Sequence, residues 1–324
     1  MKLASLVLAV VAAFASTPVC ANGADDEANW KATRGHLAQS LAASSKPRDW
    51  LLSAALFAEP RSAEIAATLA KAVAAAPDDA LVQWVAATAG NESATTALTR
   101  LEPDNGASWL PMLRSAIERD DETGIDAALS GFSASARFDD HYGQLLHAWQ
   151  DALRAEPDAP ICDGDEKHCN RTEREFSLAM ALTAASVFPA TQPILNFCKA
   201  TAADSPHHRP CETGARNMFR NSQTMVLSAV GFALLRDLDA LTPADKELHR
   251  QREWLSEVTM PIHRNFVPGN VAYAAFLADW TTLDSEFEVM RRLAQRNGQP
   301  LLPPDGWVSP GQHAREASKA RGER

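Results

Sequence analysis

Four times in the first half of the chain, a run with helical periodicity ends at a proline followed closely by an acid or amide. These breaks are Lys46-Pro47-Arg48-Asp49, Ala76-Pro77-Asp78-Asp79, Glu102-Pro103-Asp104-Asn105 and Glu156-Pro157-Asp158. Proline drives the residue before it out of the helical region, and the Asp or Asn that follows is placed to cap the next helix. The prolines fall 30, 26 and 54 residues apart. That spacing predicts repeated helical hairpins, with one turn unmarked by proline in the longest interval.

The rest of the chain carries the same helical signal. Alanine and leucine dominate, glycine is scarce at 15 of 324 residues, and β-branched runs of period two are missing. Thr172-Glu173-Arg174-Glu175 and Ser285-Glu286-Phe287-Glu288 read as capping boxes, and Thr242-Pro243-Ala244-Asp245 adds proline at the first helical position. Ile65, Leu69 and Val73 line one side of a helix starting near Ser62. Tyr142, Leu145, Leu146, Trp149 and Leu153 line another, which leaves Gln144, Gln150 and Asp151 for water. Met225 to Leu235 is apolar around most of its circumference and reads as a central buried helix. Roughly fourteen helices are expected in all, in an all-α chain of hairpin repeats that continues into a bundle-like C-terminal half.

Over about residues 45–157 the chain resembles a degenerate tetratricopeptide-repeat protein. In that family a proline closes one repeat and a Trp opens the packing of the next helix six residues later. Pro103 and Trp109 keep that offset, Pro77 and Trp84 miss it by one, and Ala128 and Phe132 echo the family's Ala-x3-Phe. Pro111 after Trp109, and Leu113 where the family has glycine, depart from the pattern. The resemblance implies an α-solenoid whose concave surface binds peptides or partner domains. The expected organisation is a signal peptide over 1–21, helical repeats over 22–157, a helical region over 158–298, and a proline-rich, charged and mostly disordered tail over 299–324, with Trp307 pinning part of it to the body.

The N-terminus has one basic residue, Lys2, an apolar run from Leu6 to Ala15, and a small-residue exit at Val19-Cys20-Ala21. These are the three parts of a secretory signal, with cleavage expected after Ala21. Thr17-Pro18-Val19 departs from the residues that precede a lipidated cysteine, so Cys20 is expected to leave with the signal rather than anchor the protein. Removing residues 1–21 takes away Lys2 and no acid, moving the formal charge from −10 to −11. That balance disfavours nucleic acid and anionic lipid as partners, and no later segment has the length and apolarity of a membrane span. A periplasmic or secreted location is expected.

Four cysteines remain: Cys162, Cys169, Cys198 and Cys211. An even number in an exported chain points first to disulfides, and the local pairs 162/169 and 198/211 are the expected connectivity among three possible. The segment from Cys162 through Asp163, Asp165, Glu166 and His168 to Cys169, together with His207, His208 and Cys211, contains metal-ligand types. Its Cys-x6-Cys and Cys-x12-Cys spacings match no zinc pattern, and the acidic loop is too short for an EF-hand. No metal or other cofactor is expected.

Asp139, Asp140, His141 and His147 cluster near a helix start, where the acids would complement unpaired amides. His249 and Glu253 lie one turn apart on a polar face that reads as solvated ion pairs, and His263 follows Pro261 in what reads as a turn. Trp30 and Trp280 are candidates to face a groove. His-Glu-x-x-His, Gly-x-Ser-x-Gly and Gly-x4-Gly-Lys are all missing. The first expectation is therefore a helical-repeat binding or scaffold protein of the cell envelope with a protein or peptide partner. The rivals are an envelope hydrolase drawing on His141, His147, His207, His208, His249 and His263, and a periplasmic inhibitor or immunity protein.

Overall fold

The computed structural model describes residues 23–56, 63–159, 161, 170–187, 191–264, 271–309 and 311. The signal segment over 1–21, Cys162 and Cys169 lie outside the described residues. Among the described residues there are fifteen α-helices and no β-strand. Two isolated bridges, Asn105 with Arg137 and Phe138 with Ser222, join extended residues between helices. Contacts divide the chain into one unit that ends at Leu238 and a second that begins at Asp239.

The first unit opens with α1 (Gly23–Ala43) and then runs as hairpins. These are α2 (Pro47–Leu56) with α3 (Ala63–Ala75), α4 (Ala80–Thr88) with α5 (Glu92–Leu101), α6 (Leu110–Glu118) with α7 (Glu122–Ala134), and α8 (Tyr142–Arg154) with α9 (Arg171–Val187). The second and third hairpins share one turn geometry. Gly90 and Asp120 both take positive φ, at 96° and 53°. Around them Asn91 N donates to Ala86 O at 3.0 Å, and Asp121 N donates to Ala116 O at 3.0 Å. Asn91 and Asp121 then cap the next helix, each accepting a backbone N–H three residues on at 3.0 Å. Carbonyls left unpaired at one helix end and amides at the next are satisfied within four residues. The period is thus written in Gly90-Asn91-Glu92 and Asp120-Asp121-Glu122 as well as in the prolines.

The turn that carries no proline is residues 135–141. It is held by the Asn105–Arg137 bridge and by the Asp139 and Asp140 carboxylates, which accept from His141 N and Tyr142 N two residues on. After α9 the chain does not add hairpins end to end. Helix α10 (Gln192–Ala200) packs on α6, and α11 (His208–Asn221) packs on α7 and pairs with α12 (Met225–Asp237). Gly231 allows that pairing, because a Cβ there would stand 2.5 Å from Phe219 N and 2.8 Å from Ala215 O. The central-helix expectation for 225–235 holds: Leu227, Val230, Gly231, Ala233, Leu234 and Leu235 are buried.

Cys198 and Cys211, both fully buried, form a disulfide between α10 and α11. Of the α10 side chains, Ile194 and Cys198 are the buried ones, so the bridge supplies much of what holds this short helix. Replacing both cysteines with Ala is expected to cost about 3 kcal/mol, the usual scale for a loop of this length. A denaturation midpoint unchanged by the double substitution would show the bridge to be dispensable.

In the second unit, α13 (Pro243–Arg264) and α14 (Val271–Trp280) both pack on α15 (Glu286–Arg296). Pro243 stands at the first position of α13 as expected, and Thr242 and Asp245 form a capping box around it, with Thr242 Oγ1 donating to Asp245 Oδ2 at 2.8 Å and Asp245 N donating to Thr242 Oγ1 at 3.2 Å. Residues 299–309, the first part of the expected tail, lie along α13, where Trp307 meets Trp254 edge to face at 5.4 Å.

Local expectations are corrected at several points. Thr172 lies inside α9, which Asn170 caps by accepting from Glu173 N at 3.4 Å; Glu175 pairs with Arg171 at 2.7 Å instead. Ser285 precedes α15 without a side-chain cap. Gln150 is buried rather than solvated, as is Trp280, whereas Trp30 is 37% exposed. Helix α13 continues through Pro261 to Arg264, so His263 sits on a helix rather than a turn.

Candidate functional site

Among the described residues, a cluster of charged groups lies where three loops meet. One is the α5–α6 connection with Glu102, Asp104 and Asn105, another is the 135–141 turn, and the third is the α11–α12 turn with Ser222 and Thr224. Asn105 is fully buried and organises the first two. Its Oδ1 accepts from Ala107 N at 3.2 Å and from Asp139 N at 2.8 Å, while Nδ2 donates to Asp139 O at 2.8 Å and to Glu102 Oε2 at 3.0 Å. One amide side chain thereby satisfies backbone groups on two loops, which a buried polar residue must do to offset its desolvation.

His141 sits above this frame, 1% exposed. Its Nε2 is 3.0 Å from Glu102 Oε2 and its Nδ1 is 3.3 Å from Gln144 Oε1. Two oxygen acceptors facing the two ring nitrogens is the arrangement an imidazolium satisfies. The ring also tilts against the buried Trp84 at 5.7 Å. His141 takes φ 56°, a left-handed conformation that costs a β-carbon-bearing residue energy, so the surrounding bonds must over-determine it. Arg137 closes the cluster, reaching Glu102 Oε1 at 3.0 Å, Asp104 Oδ2 at 3.3 Å and Asp139 Oδ2 at 3.5 Å. Ser108 Oγ adds a donor to Glu102 Oε2 at 3.1 Å.

Asp140 points the other way. It is wholly buried, accepting from Thr224 Oγ1 at 2.7 Å and from Tyr142 N at 3.2 Å. Asp139 and Asp140 therefore do complement amides at the start of α8, and Asp140 also ties that start to the α11–α12 turn.

The electrostatics follow from this geometry. Burial works against the charged His141, but the Glu102 hydrogen bond and the charges of Asp139 and Glu102 outweigh it and raise the imidazole above its ordinary value. Burial likewise works to raise Glu102, but hydrogen bonds from His141, Asn105 and Arg137 and the His141 charge hold its carboxyl well below the usual range. For Asp140 burial prevails over the Thr224 bond and pushes the carboxyl up to about 6.

The sign for stability is the same for Asp140 and His141. A carboxyl raised in the fold costs stability as pH climbs from its unfolded value through about 6. A raised imidazole contributes fully below its unfolded value and loses that contribution as pH rises through its folded one. Asp140→Asn removes the first cost. Its stability relative to wild type is expected to improve by about 1–3 kcal/mol between pH 4 and pH 7, then stay level. Urea midpoints of both proteins across that range check this, and a difference that does not change with pH would contradict it.

The other histidines expected from sequence do not join this cluster. His147 is half-buried further along α8. His207 Nε2 lies 2.8 Å from Asp126 Oδ1, with its ring against Phe197 at 5.4 Å, and His208 Nδ1 is 3.5 Å from Thr201 Oγ1. His249 pairs with Glu253 at 3.4 Å in the second unit. The His263 side chain lies outside the described residues. Among the described residues no group of three or more His, Cys, Asp or Glu is placed to hold a metal ion, and no helix is long and apolar enough to cross a membrane.

Sequence reasoning picked out Asp139, Asp140 and His141 but missed Glu102, Asn105, Arg137 and Thr224. Glu102 and Asn105 stood in a marked turn, yet no spacing rule links that turn to His141, 39 residues beyond Glu102. The fold and this cluster define an all-α protein whose charged centre is a junction between helical hairpins. No family model, curated protein or solved structure matches this chain.

Proposed function

We propose that this chain is a helical-hairpin binding or scaffold protein of the bacterial envelope, exported by its N-terminal segment and engaging a protein or peptide partner. The observation that carries this reading is how the charged cluster is used. Glu102, Asn105, Arg137, Asp139, Asp140 and His141 bond to one another and to the backbones of two loops, and Asp140 reaches the third through the Thr224 hydroxyl. A catalytic acid or base must reach a substrate proton, whereas here the polar atoms hold hairpins in register. Stacked hairpins present an extended surface to partners, in keeping with the resemblance to tetratricopeptide repeats. The Cys198–Cys211 bridge suits an oxidising compartment.

Native mass spectrometry on protein released gently from its own cell envelope tests the reading. The expected result is a chain lacking residues 1–21 in a stoichiometric complex with a protein or peptide. A chain that retains those residues, or one carrying a small molecule or metal in place of a protein partner, contradicts it.

A further inference from the structure

Asparagine followed by glycine is the dipeptide at which a protein chain most readily attacks itself. The glycine nitrogen, with no Cβ beside it to obstruct the approach, bonds to the asparagine Cγ as the Cγ–Nδ2 bond breaks. Ammonia leaves with the proton that the glycine nitrogen gives up. Water then opens the five-membered imide at either carbonyl, to aspartate or to isoaspartate. One asparagine and one water become one aspartyl residue and one ammonia, with no change of oxidation state. The chain has three such pairs, Asn22-Gly23, Asn105-Gly106 and Asn297-Gly298, and Asn22 lies outside the described residues.

The fold treats the other two pairs in opposite ways. Asn105 is fully buried, and its side-chain amide is engaged by Ala107 N, Asp139 N, Asp139 O and Glu102 Oε2. The nitrogen that would attack it, Gly106 N, is committed to Arg137 O at 2.9 Å. The Phe138 ring closes over Gly106, where a Cβ would stand 2.8 Å from Phe138 Cδ2. Cyclisation at Asn105 therefore requires the hairpin junction to open. Asn297 and Gly298 are both exposed at the C-terminal end of α15, and a Cβ on Gly298 would meet no heavy atom within 4 Å. The bonds they donate run to the last turn of their own helix. Asn297 Nδ2 reaches Leu293 O at 2.9 Å, Asn297 N reaches Ala294 O at 3.1 Å, and Gly298 N reaches Gln295 O at 3.1 Å. A terminal turn opens locally, at a small fraction of the free energy that opens a core. Rotation about ψ of Asn297, which stands at 14°, then brings Gly298 N to Cγ.

We propose that Asn297 is a site of spontaneous deamidation, and that its conversion loosens residues 299–309 from α13. The product has no amide to donate to Leu293 O. It also places a negative charge at a helix C-terminus, where the peptide dipoles disfavour one, and the isoaspartyl form adds a methylene to the main chain. Two residues on, Gln299 N donates to Ala294 O at 2.9 Å, and the chain then meets α13 where Trp254 Nε1 donates to Pro300 O at 2.8 Å. An altered turn shifts the register of both bonds. The inference uses the second unit alone and does not depend on the partner proposed above.

The test is incubation of the full chain at pH 8, with tryptic peptides followed by mass spectrometry. The peptide that begins at Asn297 is expected to gain about 1 Da, at a rate at least about tenfold above that of the peptide holding Asn105. In concentrated urea, where both pairs are unfolded, the two rates are expected to converge. Asn297→Gln, which can cyclise only through a less favourable six-membered ring, is expected to hold its mass. No gain at Asn297, or equal rates at the two pairs in the folded protein, overturns the assignment of the site. Hydrogen exchange reads the consequence. Residues 299–309 are expected to exchange faster in the deamidated protein and in Asn297→Asp than in fresh wild type, whereas Asn297→Gln, which keeps an amide, is expected to match wild type. Unchanged exchange over 299–309 in both the deamidated protein and Asn297→Asp overturns the loosening.

Discussion

Replacing Glu102 with Gln is expected to destabilise the protein by about 3–5 kcal/mol at pH 5.5, the usual cost of breaking one side of a buried ion pair. Glu102 and His141 are 3.0 Å apart, with side chains only 14% and 1% exposed. Below pH 6.5 the unfolded chain carries His141 protonated, so the variant must either bury an unpaired imidazolium or give up its proton on folding. Above that pH the unfolded imidazole is already neutral, and the loss is expected to shrink toward the value of the hydrogen bonds alone, about 1–2 kcal/mol. Chemical denaturation at pH 5.5 and pH 8 reads both numbers. A double-mutant cycle with His141→Asn, which tolerates the left-handed backbone, should show a coupling above about 1 kcal/mol. A loss under about 1 kcal/mol at both pH values would mean the pair is not what holds the junction.

Phe132→Ala is expected to cost about 3–5 kcal/mol, in the range of a large aromatic removed from a close-packed core. Phe132 is fully buried on α7 and meets Phe138 edge to face at 6.3 Å. Its ring fills the space above Gly214 of α11, where a Cβ would lie 2.0 Å from Phe132 Cε1. The ring is thus a knob that only glycine admits, and it joins α11 to the third hairpin. The sign of Gly214→Ala is then expected to depend on the residue it faces. With Phe132 present the methyl overpacks the contact and destabilises by about 1–3 kcal/mol. In the Phe132→Ala background the same methyl enters the vacated space and recovers part of the loss. Urea midpoints of the two single variants and the double variant decide this, and additive effects would contradict the packing account.

How much of this was legible beforehand depended on the range of the interaction. The hairpins of the first half follow from prolines and caps a few residues from the helix ends they control. The all-α fold follows from periodicity that needs no partner to be seen. The 135–141 turn was hidden because its chain reversal is made by Asn105, more than thirty residues upstream, rather than by a proline or glycine of its own. Asp140 read as a helix-terminal acid, and it is one, but it is wholly buried and its side-chain donor is Thr224, 84 residues away. Gln150 occupied a position that periodicity assigned to water, yet it is buried. The docking of α11 on α7 rests on the Phe132–Gly214 fit, a complementarity of shape that composition does not encode. In each case the local element was readable and the partner across the fold was not.

Hydrogen exchange of the backbone amides at the junction tests the central claim, that the Glu102–His141 cluster is a rigid structural joint. The decisive amides are those of Gly106, Asp139, His141 and Tyr142, bonded at 2.9 Å to Arg137 O, 2.8 Å to Asn105 Oδ1, 2.9 Å to Asp139 Oδ1 and 3.2 Å to Asp140 Oδ1. A joint exchanges only when the surrounding hairpins open, so these amides should be protected as strongly as those of α7 and α8 and should lose that protection first in Glu102→Gln. Loops that serve chemistry sit at the low-stability end of a fold. Exchange at 135–142 far faster than in the flanking helices, and unchanged by Glu102→Gln, would contradict the account.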